Sequence, residues 1–418
     1  MNIFADVNPF LWRSAYVKPV DDSDITPVIP SEIEGVKVCR WRETKGKWSH
    51  LPQASLNARD PPSDVRLITW CMDGEVRNHN LSLATAIAKI AEVLGCGESD
   101  SSGGSSGTSP SDSSDSSGTS PTDSSASSPV DASGSSAAHD RRSESRSRPP
   151  AGSHGRRAES RSRPPASSRS RQPVASTHKR GNSNFGRPPP CVICLQEVSG
   201  AALERVLVNH PWVRAYFCLL PHERKKWPEE AKFGNVTLVS RDVPVEAAAV
   251  LRFGRSAMGR SALITHIWLR GARVREGATE RRTLRVAVIN TQLEGTQPPG
   301  RDYRRKQLEL LSQFLRVEGV NGGVIVGNMY PEGPGDHDQP EKELKLKDAW
   351  KRGNNDPAGA TVFDKYGLPP TRHSKILSQP RRGLKVDEPK QFGINVKCED
   401  GSLCSEHCGL ISTMHMLK

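Results

Sequence analysis

No stretch of eighteen apolar residues occurs in the 418-residue chain, so a membrane-spanning helix is excluded. The opening "MNIFADVNPFLWRSAYVK" lacks the basic, apolar and small-residue succession of a secretory signal. An intracellular protein of nucleus or cytoplasm is expected, unsecreted, free of membrane and monomeric. Nine cysteines, odd in number and scattered, fit reduced thiols better than a disulfide framework. Acidic residues are in deficit, 47 against 59 Lys and Arg, which leaves a net charge of +12. That balance favours acidic partners, nucleic acid first, although a merely basic surface would give the same number.

Hydrophobic patterning is also absent over long stretches. Residues 1–63 read as an irregular, Pro-rich extension with Trp41 and Trp48 as its packing anchors. Residues 98–188 carry almost nothing apolar and read as a disordered insertion. Its first half, Glu98–Ala138, is Ser/Gly/Asp-rich with six acidic and no basic residues. Its second half, His139–Pro188, has thirteen basic and three acidic residues and repeats "RRSESRSRPPA" as "RRAESRSRPPA". The Arg-Ser block suits RNA binding or phosphorylation, or is a tolerated loop expansion, since loop-closure entropy grows only logarithmically.

What remains, 64–97 and 189–418, carries regular signals. "DVRLITWC", "CVICLQEVS", "NVTLVSRDVPV", "SALITHIWLRG", "TLRVAVINTQ" and "GVIVGN" are β-branched runs expected to form buried strands, followed by "TRHSKIL" and "CGLISTMHML". Helices are expected over 81–95, stopped by Gly95, and over 302–317, with Leu308, Leu311 and Leu315 on one face. Strand exceeds helix, which suits an α/β domain of sandwiched sheets. Cys191 and Cys194 form a CxxC, but strand alternation turns positions three apart to opposite faces. They read as two buried thiols, not a metal knuckle. The tail residues Cys398, Cys404, His407 and Cys408 are zinc-ligand types at a spacing of no standard zinc module.

Several strands end in polar residues. In order these ends are "TWCMDG", "LQEV", "NTQLEG", "VGNMYP" and "SEHCGL". Together they resemble the endonuclease/exonuclease/phosphatase superfamily, most closely its 5′-tyrosyl-DNA phosphodiesterase branch, whose motifs read TWN-x-DG, LQE, NTHLES, GD-x-N and SDHFGL. "FGNVTLVSRD", "MGRSAL", Arg304, Gln307, Leu308 and "LKDAW" agree. The resemblance implies a four-layered α/β/β/α fold, a two-layer β-sandwich flanked by helices. It further implies a Mg²⁺-dependent (or Mn²⁺-dependent) phosphodiesterase centre acting on DNA or phosphotyrosyl-DNA ends.

Carried over position by position, that centre is altered. Glu197 stands at the family's metal-ligand carboxylate and His407 at its phosphate-contacting imidazole. Cys71 replaces the Asn of TWN, a second metal-site position, with a thiol that Mg²⁺ disfavours. Gln292 replaces the His of NTHLES, Asn328 the Asp and Tyr330 the Asn of GD-x-N, and Glu406 the Asp before the terminal His. Ser374 falls where a further Asp is expected. Thr69, Trp70, Asp73, Gly74, Leu195, Gln196, Asn290, Thr291, Leu293, Gly327 and Gly409 keep the motif frames. An intact frame around a substituted centre implies a catalytically impaired protein that binds nucleic acid or a protein partner. A weak phosphodiesterase, or an RNA-associated protein acting through its Arg-Ser block, is the alternative. The basic stretches "HERKKW", "RGARVREGATERR" and "RDYRRK" are the candidate tracks for a nucleic-acid backbone.

Overall fold

The computed structural model describes residues 31–52, 60–73, 78–97, 185–229, 231–273, 281–296, 299–352, 356–363, 369–381 and 383–416. Residues 98–184 of the expected insertion, Gly74 and much of "RGARVREGATERR" lie outside them.

Two sheets form. The first holds β1 (Glu32–Gly35), β8 (Val245–Arg252), β9 (Ser261–Arg273), β10 (Arg281–Gln292), β11 (Gly323–Asn328), β12 (Lys347–Asp348) and β13 (Ser374–Gln379). Its order is β1-β8-β9-β10-β11-β13-β12. The second holds β2 (Cys39–Arg42), β3 (Lys47–His50), β4 (Asp64–Cys71), β5 (Cys191–Ser199), β6 (Phe217–Leu220), β7 (Phe233–Ser240), β14 (Leu384–Val386), β15 (Lys390–Phe392) and β16 (Gly409–Met416). Its order is β14-β16-β4-β5-β7-β6-β2-β3, with β15 on β16.

Alternation along the strands builds three cores. Leu67, Val192, Cys194, Val288, Val324 and Val326 point between the sheets. Ile68, Trp70, Cys191, Ile193 and Leu195 point out of the second sheet onto helix α1 (His79–Val93), burying Leu83, Ile87 and Ile90. Ile289 and Ile325 point out of the first sheet onto Leu308, Leu311 and Phe314 of a later helix, Gly300–Phe314. This is the four-layered α/β/β/α arrangement. Cys191 and Cys194 indeed face opposite cores, the outer and the inner.

Helix ends follow local chemistry. Asn78 caps α1 by accepting from the Leu81 amide at 3.3 Å, and Gly95 just beyond it adopts φ +74°. Pro211–Tyr216 is α2, Gly300–Phe314 is α3 and Gly333–Lys342 is α4.

One expectation needs correction. Residues 32–50, read as irregular, form β1–β3: β1 pairs with β8, and the β2–β3 hairpin joins β6. Trp41 and Trp48 anchor that hairpin as an edge-to-face pair at 6.1 Å. Val36, Val38 and Leu51 close the inter-sheet core beside it, so the folded unit begins well before residue 64.

Two strand pairs are parallel, β4–β5 in one sheet and β10–β11 in the other. The β10–β11 crossover runs through α3. The β11 strand faces β4 and β5 across the sandwich, which brings four carboxyl-terminal strand ends to one pole. Cys71, Glu197, Gln292 and Asn328 stand there.

Candidate functional site

Just beneath that pole the sheets are tied together by fully buried amides. Gln196 donates to Asn290 Oδ1 at 2.7 Å and to the Cys194 carbonyl at 3.0 Å, and meets Thr69 through its side chain. Asn290 in turn donates to the Leu195 and Val236 carbonyls at 3.1 and 2.9 Å. These contacts satisfy groups that could find no water there.

Above this layer the backbone is bent to aim side chains inward. The β5–β7 register shifts between Leu195 and Val198, a bulge that turns Glu197 into the centre with φ +57°. Asp73 and Tyr330 take φ +53° and +43° at the ends of β4 and β11. A left-handed non-glycine residue costs on the order of 1–2 kcal/mol, so the three together are a strained constellation at one pole. Gly327 has φ +133°, and a Cβ there would lie 1.9 Å from the Thr291 carbonyl oxygen.

Glu197 is the focus. Its Oε1 accepts from Gln292 Nε2 and from the Tyr330 hydroxyl at 3.3 Å, and lies 3.6 Å from Arg260 Nη1. The Glu197 and Arg260 side chains are each 10% exposed. Gln292 Nε2 also donates to the Tyr330 hydroxyl at 3.1 Å. Asn328 donates to Cys71 Sγ at 3.6 Å and accepts the Tyr330 amide at 3.3 Å. Burial, reinforced by the Glu197 charge, pushes the Cys71 thiol well up and keeps it protonated. Burial, reinforced by the Glu197 charge, likewise holds the Tyr330 phenol protonated.

His407 is set by main chain. It bridges Val362, its carbonyl accepts Trp70 Nε1 at 2.8 Å, and its amide donates to Ser405 Oγ at 3.0 Å. Burial depresses its pKa, against the opposing pull of Glu197 and Glu406. Its Nδ1 is buried without a hydrogen-bond partner among the described residues. Glu406 therefore acts on the ring through its charge, not by holding Nδ1. Ser374, paired with Asn328 in the ladder, has a similarly orphaned hydroxyl.

The structure thus gathers Cys71, Glu197, Gln292, Asn328, Tyr330 and His407, with Glu406 behind the imidazole. Two residues not singled out in the sequence join them. Arg260 comes from the root of the β8–β9 hairpin inside "MGRSAL", where a lone basic residue before a buried strand was the available signal. His373 sits 5.2 Å from the Tyr330 ring and 6.1 Å from the His407 ring, and burial pushes it down to about 4.

A magnesium ion wants several oxygen ligands in octahedral geometry. Here Glu197 Oε1 already carries an amide, a phenol and a guanidinium, Asn328 Oδ1 carries a backbone N–H, and Cys71 is a neutral thiol. Among the described residues no group of three or more His, Cys, Asp or Glu could hold a metal ion. The residues do not fit magnesium. Five residues of the described basic stretches are paired with acids. Lys225 pairs with Glu223, Lys226 with Glu34, Arg301 and Arg304 with Asp336, and Arg305 with Glu343. No helix among the described residues is long and apolar enough to cross a membrane.

No protein-family model matches the chain, and no curated protein matches it. Among solved structures it is similar to humanized D. rerio TDP2 carrying 14 mutations, at 12% identity and TM-score 0.48, over 84% of this chain and 99% of that one. It is similar to D. rerio TDP2 complexed with single-strand DNA product, at 11% identity and TM-score 0.47, over 84% and 99%. An endonuclease/exonuclease/phosphatase from Bacteroides vulgatus matches at 13% identity and TM-score 0.40, over 54% and 85%.

Proposed function

We propose that this chain is a non-hydrolytic protein of the endonuclease/exonuclease/phosphatase kind that works by binding nucleic acid or a protein partner inside the cell. The single observation that carries this is the state of Glu197. Phosphodiester hydrolysis in this fold needs a metal-ready carboxylate and a polarised water. The one carboxylate among Cys71, Glu197, Gln292 and Asn328 is paired with Arg260 and capped by Gln292 and Tyr330. Asn328 bears no charge beside it, and His407 and His373 are both biased toward neutral imidazole. Loss of one base or one charge-stabilising donor typically lowers a rate about 10²–10⁴-fold.

The test is cleavage of a 5′-tyrosyl oligonucleotide with Mg²⁺ or Mn²⁺, using Glu197→Ala as the blank. The expected result is equal, background release from both chains. Turnover that the substitution abolishes would overturn the proposal in favour of a weak phosphodiesterase on DNA or phosphotyrosyl-DNA ends. Affinity for single-stranded DNA and RNA, measured before and after deletion of 98–188, separates binding by the folded unit from binding by the Arg-Ser block.

A further inference from the structure

We infer that Arg260 takes the place of a metal ion in this centre: its guanidinium is the built-in counter-cation of Glu197, and the site accepts no divalent cation. The inference deepens the non-hydrolytic reading and rests on it for the identity of the site.

The guanidinium is delivered by backbone that has little freedom. The Arg260 amide donates to Ser256 Oγ at 2.7 Å, and its carbonyl accepts the Phe253 amide at 3.3 Å, which closes the hairpin. The next residue is clamped from two strands: the Ser261 carbonyl accepts Asn235 Nδ2 at 2.8 Å and Thr291 Oγ1 at 3.2 Å. The side chain then runs inward, with Nη2 donating to Met258 Sδ at 3.5 Å at the rim and Nη1 at 3.6 Å from Glu197 Oε1. A dication at Glu197 would have to displace this cation or sit beside it, in a setting too dry to screen the repulsion. Binding through Oε1 would also strip two further donors from that oxygen, those of Gln292 and Tyr330. Mg²⁺ gives up its own water reluctantly, and neither Cys71 nor Asn328 offers it an uncommitted oxygen.

The two kinds of centre respond oppositely to loss of the carboxylate. In a metal-ligand cluster without metal, removing a charge relieves the site. In a guanidinium-paired centre it leaves a buried cation alone, which destabilises the fold.

The experiment uses the full chain. Mn²⁺ uptake is followed by loss of the free-ion electron paramagnetic resonance signal, and thermal unfolding is recorded in EDTA and in millimolar MnCl₂. The unmodified chain is expected to take up no Mn²⁺ and to melt at the same temperature in both. In EDTA, Glu197→Gln is expected to lower Tm by about 5 °C or more, as is Arg260→Met. The double variant is expected to fall no further than the worse single one, because each substitution destroys the same pair. Near-stoichiometric Mn²⁺ uptake overturns the inference, as does an unchanged or raised Tm in Glu197→Gln, or losses that add. If Arg260→Met does not fold, uptake and Glu197→Gln still decide. Mn²⁺ uptake without cleavage refutes this inference and spares the non-hydrolytic reading. Cleavage without Mn²⁺ uptake does the reverse.

Discussion

Acid should unfold this protein through its histidines before its carboxylates, and His210 measures the effect cleanly. Burial pushes His210 down to about 4, His373 to about 4 and His266 to about 3, the last two helped by neighbouring positive charge. An unfolded imidazole titrates near 6.5. Between those values the unfolded chain binds more protons than the folded one, so stability is full above pH 6.5 and is lost as pH falls toward 4. At pH 5 a histidine held near 4 has forfeited about 2 kcal/mol relative to neutral pH, and three of them about 6 kcal/mol. His210 stacks on Phe185 with ring centroids 6.2 Å apart, and its Nδ1 is buried without a partner among the described residues. His210→Phe therefore keeps the stacking and removes the titration. Urea unfolding at pH 7.5 and pH 5.0 is the assay. Glu246, which burial raises and which therefore acts with the opposite sign, is common to both proteins and cancels in the comparison. The variant should stay within about 1 kcal/mol of the parent at pH 7.5 and lose about 2 kcal/mol less on acidification. Equal losses in variant and parent would refute the reasoning.

Three further outcomes are expected. Gly327→Ala should cost at least about 3 kcal/mol, read by thermal melting, because both the φ of +133° and the Thr291 carbonyl reject a Cβ; a change under 1 kcal/mol would contradict the geometry. All nine cysteines are buried and none is in a disulfide, so a thiol reagent should label none in the native chain and all nine after denaturation. Asn328→Asp with Tyr330→Asn sets a second carboxylate beside Glu197 and removes one of its donors. That variant should show calorimetric Mn²⁺ binding where the unmodified chain shows none; no binding would mean that charge at 328 was not what the site lacks.

How much of this was readable beforehand depended on whether the signal was local. The runs ending at Cys71, Gln292 and Asn328 were legible as strands because buried parallel pairs demand β-branched residues. Gly95 marked the end of α1 because only a left-handed residue suits that turn. The β1–β3 strands were not legible: each is four residues long and charged, β1 and β2 pair with strands more than a hundred residues away, and β3 pairs with β2 alone. Helix α4 was missed for a similar reason, since "GPGDHDQPEK" with Pro340 inside it has loop composition. At the site, the strand-end residues announced themselves by motif. His373 did not, and Arg260, although inside the matched "MGRSAL", was not readable as a partner of Glu197, because their meaning lies in what they touch. The same holds for "RDYRRK", whose Arg301, Arg304 and Arg305 look like a basic track until each is seen with its acid.

The retained motif residues and the substituted ones differ in what their side chains do for the fold. Thr69, Gln196 and Asn290 bond to one another and to buried carbonyls between the sheets. Trp70 packs edge-on against Phe392 at 5.0 Å and holds the His407 carbonyl. Ser405 bonds the Cys71 carbonyl at 2.8 Å. Losing any of these leaves a buried polar group unpaired or a cavity, at a typical cost of about 1–5 kcal/mol. The positions at the mouth carry the opposite sign. An Asp at 328 would set a second carboxylate near Glu197 in a dry site, where like charges disfavour each other's ionisation. Asn328 removes that charge, Gln292 and Tyr330 turn toward Glu197 as donors, and Arg260 supplies the countercharge. On the non-hydrolytic reading proposed above, such a centre is expected to be more stable without metal than one with a second carboxylate at 328. Motif persistence in this chain therefore reports on the fold. Whether Glu197 is metal-ready is what cleavage and Mn²⁺ uptake read.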